Sequence, residues 1–217
     1  MPRMKIFNTL EQATFDTPPV FNSTERKQFF ALPLMLQDAM AGLRTPTNKV
    51  CFLAAVGYFK ARRKFFARNV NSADIDYIAR QLNLNITDVD VSSYTKFACI
   101  HHQRIILDYF GCRPFDAKTM AFAKSEIAML APVQYQPKQI LIEIIQILSR
   151  EKIEVPSYNV LADLIITAIS QHKHTLSNII HHGLNETQRS KLDALLEKEK
   201  DNTTTEGWHY RLTLLKR

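Results

Sequence analysis

The chain has 217 residues, of which 46% are hydrophobic and only five are glycine, and its formal net charge is +7. This length can bury a sizeable core, but the scarcity of glycine argues against a turn-rich sheet and against glycine-dependent phosphate loops. We therefore predict an all-α protein, in which tandem small helical (helix-turn-helix-like) units precede a helical connector domain.

The amino terminus and the cysteines indicate where the protein works. The first residues lack the apolar core of a secretion signal, and the most apolar stretch, 139–148, is too short to span a bilayer and contains Glu143. Three cysteines without paired short spacing fit free thiols in a reducing compartment. We expect a cytoplasmic protein with no membrane partner.

The first seventy residues divide into an arm and a helical unit. Residues 1–20 are predicted to be extended, because they show no helical periodicity and end in Pro18-Pro19. Residues 21–70 form the first predicted DNA-binding unit. Its three helices are predicted at Ser23 to Leu32, Leu34 to Leu43, and onward from the cap-plus-proline signal Thr45-Pro46.

A second unit is predicted over residues 71–115. Ser72 can cap its first helix, and a polar connection over 83–90 follows. Its longer helix begins after Ser92 or Ser93, runs through Phe110, and ends at Gly111 in the left-handed position. On this helix we expect polar or aromatic side chains to project outward and the remaining apolar side chains to pack inward. The first group is Tyr94, Lys96, His101 and Arg104, and the second is Phe97, Ile100, Ile105 and Tyr109.

The remaining residues have balanced charge and strongly apolar helices. Residues 116–200 are predicted to form the connector domain, and 201–217 a linker cut from a longer protein. Because the helix over Lys138 to Arg150 is apolar nearly all round, it must lie in a core or beneath a partner. The predicted helices are Asp116 to Leu130, Lys138 to Arg150, Ser157 to His182, and Asn185 to Glu199.

The net charge comes from one segment of the chain. Between Ala39 and Ala73 there is no acidic residue, whereas acids and bases nearly cancel elsewhere. A localised positive field with interleaved aromatic residues is typical of a surface that binds a polyanion. The basic residues of the segment are Arg44, Lys49, Lys60, Arg62, Arg63, Lys64 and Arg68.

Several phrases of the sequence resemble the amino-terminal region of transposases of the Tn-three family, the replicative transposons that form cointegrates. Phe15-Asp16-Thr17-Pro18-Pro19 resembles the family's opening, and the most distinctive stretch is Leu43-Arg44-Thr45-Pro46-Thr47-Asn48-Lys49-Val50 with Gly57-Tyr58-Phe59-Lys60. Gly111-Cys112-Arg113-Pro114-Phe115 continues it, and a weaker match runs from Leu184 to Leu196. The resemblance covers most of this chain, although the complete family protein is several times longer.

This resemblance implies sequence-specific binding to double-stranded DNA at the terminal inverted repeats of a transposon. The implied partners are this DNA and the rest of the transposase chain, and a homodimer of the full-length protein is left open. The family's acidic catalytic residues and their Mg²⁺ belong to a carboxy-terminal domain and map onto no position here. We expect these 217 residues to bind DNA without catalysing a reaction or holding a cofactor of their own.

The residues themselves suggest two kinds of DNA contact. Phosphate neutralisation by basic side chains supplies affinity, whereas base reading comes from the amino-terminal turn of a helix in the major groove. The predicted second unit offers further groove or backbone contacts, although a structural role for its residues is an equally good interpretation. The phosphate candidates are Lys60, Arg62, Arg63, Lys64 and Arg68, the base-reading candidates are Arg44, Thr45, Thr47, Asn48 and Lys49, and the second-unit candidates are Tyr94, Thr95, Lys96 and Arg104.

Three alternatives remain open. The basic stretch could be a solvated charged face, and Thr45 and Asn48 could simply cap and brace their own helix. The whole chain could instead be a helical protein-interaction module whose Lys138 to Arg150 helix docks a partner. The histidine pairs do not have the three- or four-residue spacing of a helical metal site, so we predict no metal site.

Overall fold

The computed structural model describes residues 5–134, 136–196, 198–200 and 208–210. It divides the chain into two compact units, the first ending at Ile169 and the second beginning at Ser170. Short 3-10 turns occupy Leu34–Leu36, Ile86–Asp88 and Val91–Ser93. The α-helices are α1 (Thr9–Asp16), α2 (Ser23–Phe29), α3 (Gln37–Ala41), α4 (Pro46–Arg62), α5 (Ser72–Gln81), α6 (Lys96–Phe110), α7 (Ala117–Leu130), α8 (Pro137–Arg150), α9 (Tyr158–Gly183) and α10 (Glu186–Leu196).

The predicted extended arm is wrong, because residues 9–16 form helix α1. Asn8 and Glu11 make a reciprocal capping box at its start, in which each side chain accepts the other residue's backbone N–H. Phe7 stacks on the Tyr158 ring with the centroids 5.3 Å apart, and Phe15 packs in the same core. The amino-terminal segment is therefore a packed part of the first unit.

Helix α4 is the central element of the first core. Thr45 caps it, Pro46 occupies its first turn, and Arg63 ends it in the left-handed conformation with φ of 54°. Its apolar residues are buried on nearly all sides, which exceeds the single face that the sequence pattern predicts. At Gly57 an added Cβ would lie 2.4 Å from the Phe30 ring, so glycine allows α2 to approach α4 closely.

The two predicted DNA-binding units share this first core. Phe30 and Met40 from the predicted unit over 21–70, and Ile78 and Ile106 from the predicted unit over 71–115, are buried together around α4. The buried Asp74 carboxylate accepts hydrogen bonds from Arg26 Nε at 2.7 Å and from the Tyr58 hydroxyl at 2.7 Å, which links α2, α4 and α5. Residues 21–115 therefore pack as one helical body around α4.

A second core lies in the same unit and contains α7, α8 and the first half of α9. The apolar face of α8, including Ile140, Ile144 and Leu148, is fully buried there against Leu161 and Ile165 of α9. This burial accounts for the strongly apolar sequence of α8 without a docking partner. The Val155 backbone N–H donates to the Arg63 carbonyl at 2.8 Å and so connects the two cores.

The second unit contains the end of α9, α10 and a short antiparallel ribbon. Strands β1 (Lys198–Lys200) and β2 (Trp208–Tyr210) pair with Lys198 opposite Tyr210. The predicted linker, 201–217, lies outside the described residues except for β2.

The predicted all-α class is confirmed. The sequence signals for α4, α7 and α8 place their starts within one residue, because capping and proline signals mark them. The helix predicted over Leu34 to Leu43 is instead a 3-10 turn followed by α3. The connection between α5 and α6 covers 82–95 and holds two 3-10 turns, so it is much longer than the ~3–4-residue turn of a helix-turn-helix motif.

Candidate nucleic-acid interface

Helices α4 and α6 pack side by side in a parallel orientation. Cys51 and Cys99, each in the early turns of its helix, belong to one small cluster. Further along, the Phe59 and Phe110 ring centroids are 5.4 Å apart. Because contacts advance in the same direction along both helices, their amino-terminal turns lie at one end of the first core. We call this end the α4/α6 amino end, defined by residues 44–49, 68 and 95–97.

The predicted base-reading turn lies at this end, with its side chains in different environments. Arg44 and Thr45 are exposed, and Asn48 and Lys49 are half-buried. The Thr45 hydroxyl accepts the Asn48 backbone N–H at 3.2 Å, so Thr45 caps its own helix. Arg44 and Lys49 have no hydrogen bond or ion pair with the described residues, and their charges are available to a ligand.

Thr47 is not available for base reading. Its side chain is buried, and its hydroxyl accepts the Asp90 backbone N–H at 3.0 Å. This bond holds the connection before α6 against the first turn of α4. Thr47 is therefore a structural residue, and the prediction that it contacts DNA is withdrawn.

The predicted phosphate contacts do not form one surface. Lys60, Arg62 and Arg63 lie at the carboxyl end of α4, which is ~24 Å from its amino end for a helix of 17 residues. The Lys60 ammonium donates to the Gln28 carbonyl at 2.8 Å, and the Arg63 guanidinium lies 5.1 Å from the Phe110 ring centroid. Arg62 is exposed and contacts no polar group within the described part of the chain.

Lys64 is a buried structural residue. It is 5% exposed, its ammonium lies 2.6 Å from an Asp16 carboxylate oxygen, and it lies 3.7 Å from the Phe15 ring centroid. Burial lowers the pKa of Lys64, and hydrogen bonding to Asp16 opposes this effect. Since a phosphate cannot reach this ammonium, Lys64 is removed from the predicted DNA contacts.

Arg68 lies near the amino end of α4, whereas Arg62 and Arg63 lie at its carboxyl end. The chain turns back after Arg63, and the Cys99 thiol donates to the Ala67 carbonyl at 3.7 Å. Arg68 is exposed and follows directly, so it adjoins the first turn of α6. The structure therefore brings Arg68 to the α4/α6 amino end and separates it from Arg62.

The predicted DNA contacts within residues 71–115 likewise include both buried and exposed side chains. Tyr94 is 2% exposed, and its hydroxyl forms a 2.7 Å hydrogen bond with His102 Nδ1. Burial lowers the pKa of His102 to about 4 and raises that of Tyr94. Thr95 caps α6 by accepting the Ala98 N–H at 3.1 Å. Tyr94 is thus a core residue and is withdrawn as a contact, whereas Lys96 and Arg104 are exposed.

Sequence reasoning missed two residues on the same helix. Phe97 is 84% exposed and Ile100 is 55% exposed, although both were predicted to pack inward. The inward face of α6 contains Cys99, His102 and Ile106 instead. The helical period alone could not reveal this, because apolar residues occur on both sides of α6.

Acidic residues limit the positive field near this end. Asp90 lies beside Thr47 and is exposed, and hydrogen bonds from Ser92 lower the pKa of its carboxyl group. Asp88 is also exposed in the same connection. The available cations therefore share this region with a short acidic segment, which weakens the positive field beside Thr47. These cations are Arg44, Lys49, Arg68 and Lys96 at the α4/α6 amino end, and Arg104 about two turns further along α6.

Other kinds of site find no support among the residues that the structure describes. The three cysteines are free and buried, as predicted, and burial raises the pKa of Cys51 to about 12. Within the described ranges, no group of three histidine, cysteine, aspartate or glutamate residues could hold a metal ion. Of the helices described, none is long and apolar enough to cross a membrane.

The fold and this end together define a helical domain with an exposed cationic rim. The chain belongs to the family described as a domain of unknown function, DUF4158, whose model matches residues 6–168. This range coincides closely with the first unit, which ends at Ile169, so the family domain includes both cores and α1. No curated protein matches the sequence.

Proposed function

We propose that the compact unit that ends at Ile169 binds double-stranded DNA. We further propose that the chain is the amino-terminal part of a Tn-three-type transposase that recognises transposon terminal inverted repeats. The observation that carries this proposal is the parallel packing of α4 and α6. It gathers two helix amino-terminal turns and several exposed cations at one end of a rigid core. The sequence resemblance supplies the identity of the DNA.

The electrostatics of this end support a polyanionic ligand. Two helix amino termini point their positive dipole ends in the same direction, which favours an anion such as phosphate. Arg44, Arg68 and Lys96 are exposed around these termini, Arg104 is exposed about two turns along α6, and none has a polar partner among the described residues. Each such side chain can neutralise one phosphate and release counterions.

The DNA-binding proposal is tested by titration with duplex DNA at several salt concentrations. We use fluorescence anisotropy with a duplex that carries a Tn-three-type inverted repeat and with a random duplex of equal length. Five phosphate contacts predict a slope of log K against log salt of about −4 to −5. Equal affinity for both duplexes would contradict end recognition, and no binding at low salt would contradict DNA binding.

A matched pair of variants tests where the DNA lies. The variant Arg68→Gln, Lys96→Gln and Arg104→Gln removes three charges from the α4/α6 amino end and the adjoining turns of α6, and its salt slope should flatten by about 3. The control, Lys60→Gln, Arg62→Gln and Arg63→Gln, removes three charges from the carboxyl end of α4 and should leave the slope unchanged. The opposite result would place the DNA at the carboxyl end of α4 and contradict our proposal.

A second candidate function is a protein-interaction module. Exposed apolar residues in the compact unit that begins at Ser170 support it. Ile179 and Ile180 of α9 are more than half exposed, and Leu176 lines a groove with Leu192 of α10. Helix α8, the docking helix that the sequence suggests, does not supply this surface, because its apolar face is buried in the second core. Ile179→Ser and Ile180→Ser should weaken any self-association in sedimentation experiments and leave DNA affinity unchanged.

A further inference from the structure

The outward face of α6 has an unusual composition for a solvent-exposed helix. Phe97, Ile100, His101 and Arg104 follow the i, i+3, i+4, i+7 spacing and are all exposed. The first two are large and apolar. Single exposed apolar residues are common in proteins, but these two lie together on one stripe in the first turns of a helix.

The charges around this stripe indicate which kind of ligand binds to it. Lys96 precedes Phe97, Arg104 lies one turn beyond Ile100, and Arg68 adjoins the same helix turn. Asp108 continues the stripe and ends the positive region. An apolar strip with cations on its borders complements a DNA major groove, in which thymine methyl groups are the apolar sites and phosphates line both edges.

We infer, on the basis of the proposed function, that Phe97 and Ile100 are specificity-determining residues that contact thymine methyl groups in the major groove. Residues three apart on a helix are separated by ~4.5 Å along its axis, which lies between one and two of the ~3.4 Å steps between bases on one strand. The two side chains therefore contact neighbouring base pairs. Lys96 and Arg104 contact the flanking phosphates and fix the register.

The recognised sequence is obtained first by selection from a randomised duplex pool with the whole chain. Each thymine of the selected site is then replaced by deoxyuracil, which removes only the methyl group. We expect one or two adjacent positions at which this replacement weakens binding about 3- to 5-fold, the effect of uncovering one buried methyl-sized group. For Phe97→Ala or Ile100→Ala, the uracil effect should vanish at the corresponding position.

A matched control uses another exposed apolar helical residue. Met129 is 60% exposed on α7, a helix that packs in the second core and lies outside the α4/α6 amino end, so Met129→Ala should keep the full uracil effect. Circular dichroism checks that the variants are folded, which we expect because the substituted side chains are exposed.

The outcomes separate this inference from the proposed function. Enrichment of a site whose binding is insensitive to every uracil replacement would overturn the thymine contact and leave DNA recognition intact. A uracil effect that persists in both alanine variants would assign the methyl contact to other residues and overturn the inference. Failure to enrich any sequence would instead contradict the proposed function itself.

Discussion

Replacing Lys64 by Met tests the distinction between structural and surface cations in the basic segment. In the structure the ammonium lies 2.6 Å from Asp16 and over the Phe15 ring, and only 5% of the residue is exposed. The change leaves the carboxylate of Asp16 without its cation and detaches α1 from the end of α4. We expect lower stability with little direct effect on DNA contacts.

The size of this loss follows from the geometry. Two unit charges 2.6 Å apart attract each other by ~6 kcal/mol at an effective dielectric of 20, and desolvation of Lys64 offsets part of this. Removing one partner of a fully buried pair costs about 3–5 kcal/mol, but Asp16 is 31% exposed and regains water. We therefore expect a loss of about 2–3 kcal/mol, or about 5–10 °C in Tm.

Urea unfolding followed by circular dichroism measures this loss. Arg62→Met is the matched control, because Arg62 is a basic neighbour that is exposed, and its stability should change by less than about 0.5 kcal/mol. Equal effects of the two substitutions would refute the structural role of Lys64. A normal stability with a flattened DNA salt slope in Lys64→Met would show that Lys64 contacts DNA after all.

Three further substitutions test the first core. Asp74→Asn should destabilise by about 2–3 kcal/mol in urea unfolding, since it breaks charged hydrogen bonds, whereas the exposed Asp76→Asn on the same helix should be nearly neutral. Gly57→Ala should lower Tm because its Cβ meets a buried ring at 2.4 Å, with a cost of about 1–3 kcal/mol. Burial lowers the pKa of His102 in the folded protein to about 4. Because this histidine binds its proton more readily in the unfolded chain, the free energy of unfolding should fall as the pH decreases from about 6.5 to 4. His102→Gln should reduce this part of the pH dependence of unfolding.

The sequence was most informative about helix starts and least about helix faces. Thr45-Pro46 and Asp116 mark the beginnings of α4 and α7 because capping depends on residues close together in the chain. Helix α1 also begins at a local capping box, formed by Asn8 and Glu11, but the prediction of an extended arm rested on the lack of periodicity and on Pro18-Pro19. Local chemistry therefore predicts most of the helices.

The candidate site could be predicted only in part, because burial depends on tertiary packing. The charge count identifies the basic segment, but it treats Lys64 and Arg68 alike. Their environments differ because the turn after Arg63 sends one side chain into the core and returns the other to the first turn of α6. The exposure of Phe97 was equally invisible, since it depends on which side of α6 packs on α4.

Helix α1 also affects the order in which the protein can fold. Its contacts with Lys138 and Tyr158 join positions 127 and 142 residues apart, so α1 leaves the ribosome long before its partners. Closing such long loops is slow, whereas the core around α4 needs only residues up to Cys112. During synthesis the α4 core can therefore form first, and α1 can join the second core only after the start of α9 has been made.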